Sequence, residues 1–196
     1  MNTANRFFQC VFEAIQAEIT QLLKSGVLDR HRSEKRHARV LNRVFQEGTL
    51  RYIALRKFYE TAETSRVTFD TEFGEDKGPI DLILVEEPEQ YAFELKRWQE
   101  GKSANAILGK DYDNLTGFAK AAVNRHAYSV IFTDNDHQDL VSNEEFLHNP
   151  QGFYENQFRE TFGQRYRLCE CKVTAFGTFT VCALLATPKQ DANECT

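Results

Sequence analysis

The sequence predicts an α/β domain, with a central mixed β-sheet of about four to six strands and helices on both faces. Three stretches carry this. Residues 79–98, PIDLILVEEPEQYAFELKRW, alternate apolar and polar positions as two strands around a tight acidic turn. Ala127 to Thr133, AYSVIFT, is a nearly continuous apolar run, the pattern of an interior strand. Between them, Ser103 to Arg125 carries apolar residues at helical spacing. Strand, helix and strand then form a crossover unit whose two strands run parallel and right-handed.

Taken in order, Asn5 to Lys24 places Phe8, Val11, Phe12, Ile15, Ile19, Leu22 and Leu23 on one helical face, with Gly26 as the stop. A second helix starts at the N-cap Ser33 and ends near Gly48, with Ala38, Leu41 and Phe45 as its apolar row. Glu34 lies one turn before Ala38 in that row and so points inward, whereas Arg36, Arg39 and Arg43 run along another side. Thr49 to Thr64 reads as a third helix, with Leu50, Ile53, Ala54 and Phe58 inward. Arg66 to Glu72 alternates like a strand, and Gly74 to Gly78 is a polar turn.

The Ser103 to Arg125 helix has Leu108, Tyr112, Leu115, Ala119 and Ala122 as its buried stripe, with Lys102, Lys110 and Lys120 nearby. Asp134 to His137 reads as a polar loop. Glu144 to Thr161 reads as helical with a break near Pro150 to Gly152. Arg165 to Val173 and Thr178 to Ala186 form a strand pair turning at Ala175 to Gly177, and the tail after Pro188 is frayed.

Composition restricts the class. With 41% hydrophobic and 12% aromatic residues and only four Pro, the 196 residues form one globular domain rather than a disordered chain. No run reaches membrane-spanning length, and Gln9, Glu13, Gln16 and Glu18 interrupt the only N-terminal stretch resembling a signal sequence. Five scattered cysteines, an odd number, favour reduced thiols and a cytoplasmic location over a disulfide framework. Cys169 and Cys171 stand alone as a pair and are read as structural rather than as zinc ligands. Between Lys24 and Lys57 ten Lys/Arg face three acids, a local +7 in a chain of net charge -5. That asymmetry is what a localised phosphate-binding face requires.

The hairpin carries the chemistry. With Glu86 and Tyr91 flanking a four-residue loop, Ile83 pairs with Glu94 and Asp81 with Lys96. Asp81, Glu94 and Lys96 then leave one face at the end away from the turn, with Leu82, Leu84, Phe93 and Leu95 on the other. Two hard oxygen ligands suit Mg²⁺, which needs only one or two carboxylates and keeps positions for water and phosphate. A lysine beside them orients the attacking water and stabilises the transition state.

The order Pro79, Asp81, then Glu94 and Lys96 resembles the PD-(D/E)XK, or restriction-endonuclease-like, nuclease superfamily, over about residues 33–133. Residues 5–24 and 142–187 lie outside that core, within a single domain spanning 1–196. The resemblance implies a Mg²⁺-dependent endonuclease, with Mn²⁺ as a substitute. Asp81, Glu94 and the Leu95 carbonyl would hold the metal, Lys96 would serve the water, and Glu34 would complete the metal environment from the first core helix. Arg36, Arg39, Arg43, Lys102 and Lys110 would contact phosphates. The GKDYDNL segment also resembles the helix that follows the ExK strand in these nucleases. The resemblance favours DNA over RNA as the substrate, with RNA left open, and such nucleases often act as homodimers or higher oligomers. The competing expectations are a catalytically inactive nucleic-acid-binding relative and a protein-interaction module of the immunity or adaptor type.

Overall fold

The computed structural model describes residues 2–26, 47–61, 67–70, 80–98, 104–136, 143–177 and 179–189. In chain order these form α1 (Thr3–Lys24), α2 (Glu47–Glu60), β1 (Thr68–Asp70), β2 (Leu82–Glu86), β3 (Glu89–Arg97), α3 (Ala104–Lys120), β4 (Arg125–Asp136), α4 (Glu144–His148), α5 (Pro150–Phe162), β5 (Tyr166–Phe176) and β6 (Phe179–Pro188). The expected second helix, and with it Glu34, Arg36, Arg39 and Arg43, lies outside the described residues, as does Lys102.

The six strands form one mixed sheet in the order β1-β2-β3-β4-β6-β5. Only β3 and β4 pair in parallel, as the crossover through α3 requires. All other neighbours are antiparallel. The fold is therefore mixed α/β with helices on both faces of the sheet, as the patterning predicts.

Side-chain alternation divides the core in two. On one face α1 and α2 cover Leu82, Leu84, Phe93, Leu95, Val130 and Phe132. The Phe7 ring lies 4.6 Å from Phe93 and 5.9 Å, edge-on, from Phe58. The first helix is thus part of the main core. Asn2 caps it by accepting the Asn5 N–H at 2.9 Å, and Gly26 beyond it takes φ +69°, a conformation that favours glycine. On the other face α3, α4 and α5 cover Ile83, Ala92, Ile131 and Leu184 with Leu108, Leu115, Phe146, Phe153 and Phe158. The break expected near Pro150 falls at Asn149, whose side chain caps α5 from the Gly152 N–H at 3.0 Å, with Pro150 in the first turn.

Three expectations need correction. The hairpin turn has two residues, Glu87 and Pro88, joined by a cis peptide bond, and not four. Leu82 therefore faces Phe93 and Ile83 faces Ala92. The slip is two residues, so every side chain keeps its predicted face but Asp81 moves level with Glu94 instead of Lys96. Second, Asp134 to Asp136 are not a loop: they extend β4 and pair with Val181, Thr180 and Phe179 of β6. The backbone ladder with a long partner outweighs their polar composition there. Third, the helix expected to reach Arg125 ends at Lys120, and Arg125 opens β4. The C-terminal strands, left outside the expected core, complete the same sheet. Cys10, Cys169, Cys171 and Cys182 are free thiols, with Cys171 and Cys182 sulfurs 3.8 Å apart across β5 and β6. No described helix is long and apolar enough to cross a membrane.

Candidate functional site

The end of the hairpin away from the turn gathers charge. Asp81 immediately precedes β2, and its Oδ2 accepts the Leu95 N–H at 3.0 Å. Arg51, from α2, donates to the Asp81 carbonyl at 2.8 Å, and the same nitrogen lies 3.6 Å from Asp81 Oδ1. Glu94 is only 1% exposed. Lys96 Nζ stands between Glu94 Oε2, at 3.6 Å, and Asp111 Oδ2 of α3, at 3.4 Å. Asp81, Glu94 and Lys96 are thus brought together as the alternation predicts, and Asp111 joins them.

Strand geometry also sets the backbone. The Gln90 and Trp98 N–H groups donate to the carbonyls of Asn124 and Phe132, so even-numbered residues of β3 bond toward β4. Odd-numbered residues, including Leu95, bond toward β2, and a strand residue sends its N–H and C=O to the same edge. The Leu95 carbonyl therefore leaves β3 on the edge where Asp81 lies.

Burial dominates the electrostatics. It pushes the Glu94 carboxyl from the ordinary 4.5 up to about 9, aided by the charges of Asp81 and Asp111 and a hydrogen bond with Asp81, and opposed by Lys96. Burial also raises Asp111, with Lys96 pulling the other way. Glu94 Oε1 has no hydrogen-bond partner among the described residues. Beside it on the same face sits Ser129, the β4 partner of Glu94, and the Tyr166 hydroxyl from β5 reaches toward Ser129. Burial drives the Tyr166 phenol well above its usual value, reinforced by Asp111 and Glu94.

A buried carboxylate oxygen without a partner costs roughly 1–3 kcal/mol, more when charged. A hard cation held by Asp81 and Glu94 would remove that cost and the repulsion between them. Among the described residues no group of three or more His, Cys, Asp or Glu is spaced to hold a metal. A Mg²⁺ site needs fewer, so the donor set of two carboxylates and one carbonyl fits that ion.

Of the other sequence candidates, Lys110 is exposed on α3, and Glu34, Arg36, Arg39, Arg43 and Lys102 lie outside the described residues. Asp111, Ser129 and Tyr166 carry no functional signal in the local sequence pattern, and Arg51 counts there only as one charge of the basic segment. For Asp111 the pattern offers position alone: it falls on the same helical row as Leu108 and Leu115, an inward position where a carboxylate needs a partner. Nothing local marks Ser129 or Tyr166, because strand pairing far along the chain delivers both. No protein-family model, curated protein or solved structure matches the chain.

Proposed function

We propose that the chain is a Mg²⁺-dependent endonuclease of the PD-(D/E)XK, restriction-endonuclease-like kind that hydrolyses DNA phosphodiester bonds. The observation that carries this reading is Glu94: a fully buried carboxyl with one unpartnered oxygen, level with Asp81 and 3.6 Å from the Lys96 ammonium. Purely structural burial of this kind is costly, and apolar residues of the same size would serve a core equally well.

Asp81, Glu94 and the Leu95 carbonyl would hold the ion, and Mn²⁺ would fit the same oxygen donors. When bound, Mg²⁺ supplies a water of lowered pKa and neutralises charge on the phosphoryl oxygens. Lys96 orients the attacking water by hydrogen bonding and faces the charge that develops on the phosphorus oxygens in the transition state. The Leu95 N–H fixes Asp81 Oδ2, and Oδ1, 3.6 Å from the Arg51 guanidinium, is the oxygen that would turn to the ion. Arg51 tethers the backbone of Asp81 from α2 and so holds the strand end in register. Helix α2 packs on one face of the sheet and α3 on the other, which supports the positioning that reacting groups require.

DNA is the substrate by resemblance, supported by the +7 segment between Lys24 and Lys57. The test is incubation of supercoiled plasmid, single-stranded DNA and RNA with Mg²⁺, Mn²⁺ or EDTA, using wild type and the Asp81→Ala and Glu94→Ala variants. Metal-dependent cleavage of DNA that both variants lose is expected. Wild-type rates in either variant would remove the assignment.

A further inference from the structure

We infer that Asp111 is a positioning residue that fixes the Lys96 ammonium against the hairpin site, an inference that rests on the nuclease reading of that site. Lys96 Nζ touches two carboxylates, Glu94 at 3.6 Å and Asp111 at 3.4 Å. Glu94 belongs to β3, two residues from Lys96 itself, and is assigned to the ion. Asp111 is the second carboxylate on the ammonium, and it comes from a different element, α3.

The placement is built into the helix. Leu108, Asp111 and Leu115 fall on one face, and both leucines are buried against the sheet. Asp111 occupies the middle of that row, with its side chain 15% exposed, while Lys110 and Asp113 on either side point to solvent. An apolar residue there would serve packing. A carboxylate serves a cation, and the cation it meets is Lys96.

Position is what the proposed role asks of Lys96. Its four-carbon stem has many rotamers, and an ammonium has no fixed fork geometry. A carboxylate on a rigid helix restricts the ammonium to one side of Glu94, which sets the direction from which it meets water and phosphate. Misplacement of a reacting group by about 1 Å costs on the order of 10²-fold in rate.

The experiment compares wild type, Asp111→Asn and Asp111→Glu in two readouts. In plasmid cleavage, kcat for Asp111→Asn is expected to fall about 10²-fold with KM little changed. Asp111→Glu, which keeps the charge at a longer reach, should recover part of the loss. In the second readout, trace acetic anhydride labels amines and mass spectrometry follows Lys96. Labelling of Lys96 should rise in Asp111→Asn and stay low in Asp111→Glu, with the other lysines unchanged as the internal check of folding. Wild-type kcat and wild-type Lys96 labelling in Asp111→Asn would overturn the inference. Faster labelling in Asp111→Asn, from a wild type that cuts nothing, would overturn the nuclease reading while upholding the placement of Lys96. Loss of activity equal in both variants, without a change in Lys96 labelling, would also overturn it.

Discussion

Glu94→Gln should stabilise the metal-free protein while abolishing its proposed chemistry. The folded state holds the Glu94 proton up to about pH 9, whereas an ordinary glutamate releases it near 4.5. A carboxyl raised in this way contributes its full stability below pH 4.5 and loses it progressively as pH climbs toward 9. Each pH unit in that window removes up to ~1.4 kcal/mol. Between pH 5 and pH 8 the wild type should therefore lose up to ~4 kcal/mol that a neutral amide does not lose. That is a large share of a stability of about 5–15 kcal/mol.

The assay is urea unfolding of both proteins in EDTA at pH 5, 6, 7 and 8. Nearly equal midpoints at pH 5 and a widening advantage for Glu94→Gln toward pH 8 are expected. Adding millimolar Mg²⁺ or Ca²⁺ at pH 8 should raise the wild-type midpoint and leave Glu94→Gln where it was, because ligand binding to the folded state alone stabilises it. Parallel pH profiles for the two proteins would refute the reasoning, since Glu94 would then ionise as freely folded as unfolded.

Two further outcomes follow from the fold. Phe93→Ala, which empties a site between Phe7 at 4.6 Å and Tyr128 at 5.6 Å, should cost ~3–5 kcal/mol in urea unfolding. It lies on the face opposite Glu94, so cleavage by the protein that remains folded should change little. Asn149→Ala removes the cap on the Gly152 N–H and should cost ~1 kcal/mol, read as a lower unfolding midpoint with unchanged activity.

Much of the architecture is legible because alternation is robust. Asp81, Glu94 and Lys96 share a face in any register that slips by two, so the site survives a wrong turn length. The register itself was not legible, because the acidic run Glu86 to Gln90 admits both a four-residue loop and the two-residue turn at Glu87-Pro88. Asp134 to Asp136 misled for a related reason: three polar residues read as a loop until β6 is there to pair with them. The helix after the hairpin is legible from Leu108, Tyr112 and Leu115, but the pattern gives Asp111 within that stripe no role of its own. Its meaning depends on Lys96, which only the packing of α3 on β3 brings to 3.4 Å. Ser129 comes level with Glu94, and Tyr166 comes close to Ser129, through pairings between strands distant in sequence, which no local pattern encodes.

The most direct measurement is nicking of supercoiled plasmid at pH 8 by wild type and Lys96→Ala, each with Mg²⁺ and with EDTA. Lys96 lies beside the proposed metal ligands without being one of them, so its loss should leave Mn²⁺ binding, followed by electron paramagnetic resonance, intact. Nicking by wild type in Mg²⁺ alone, absent in a Lys96→Ala variant that still binds Mn²⁺, is the predicted result. Nicking that persists in EDTA, or in Lys96→Ala at the wild-type rate, would contradict the account.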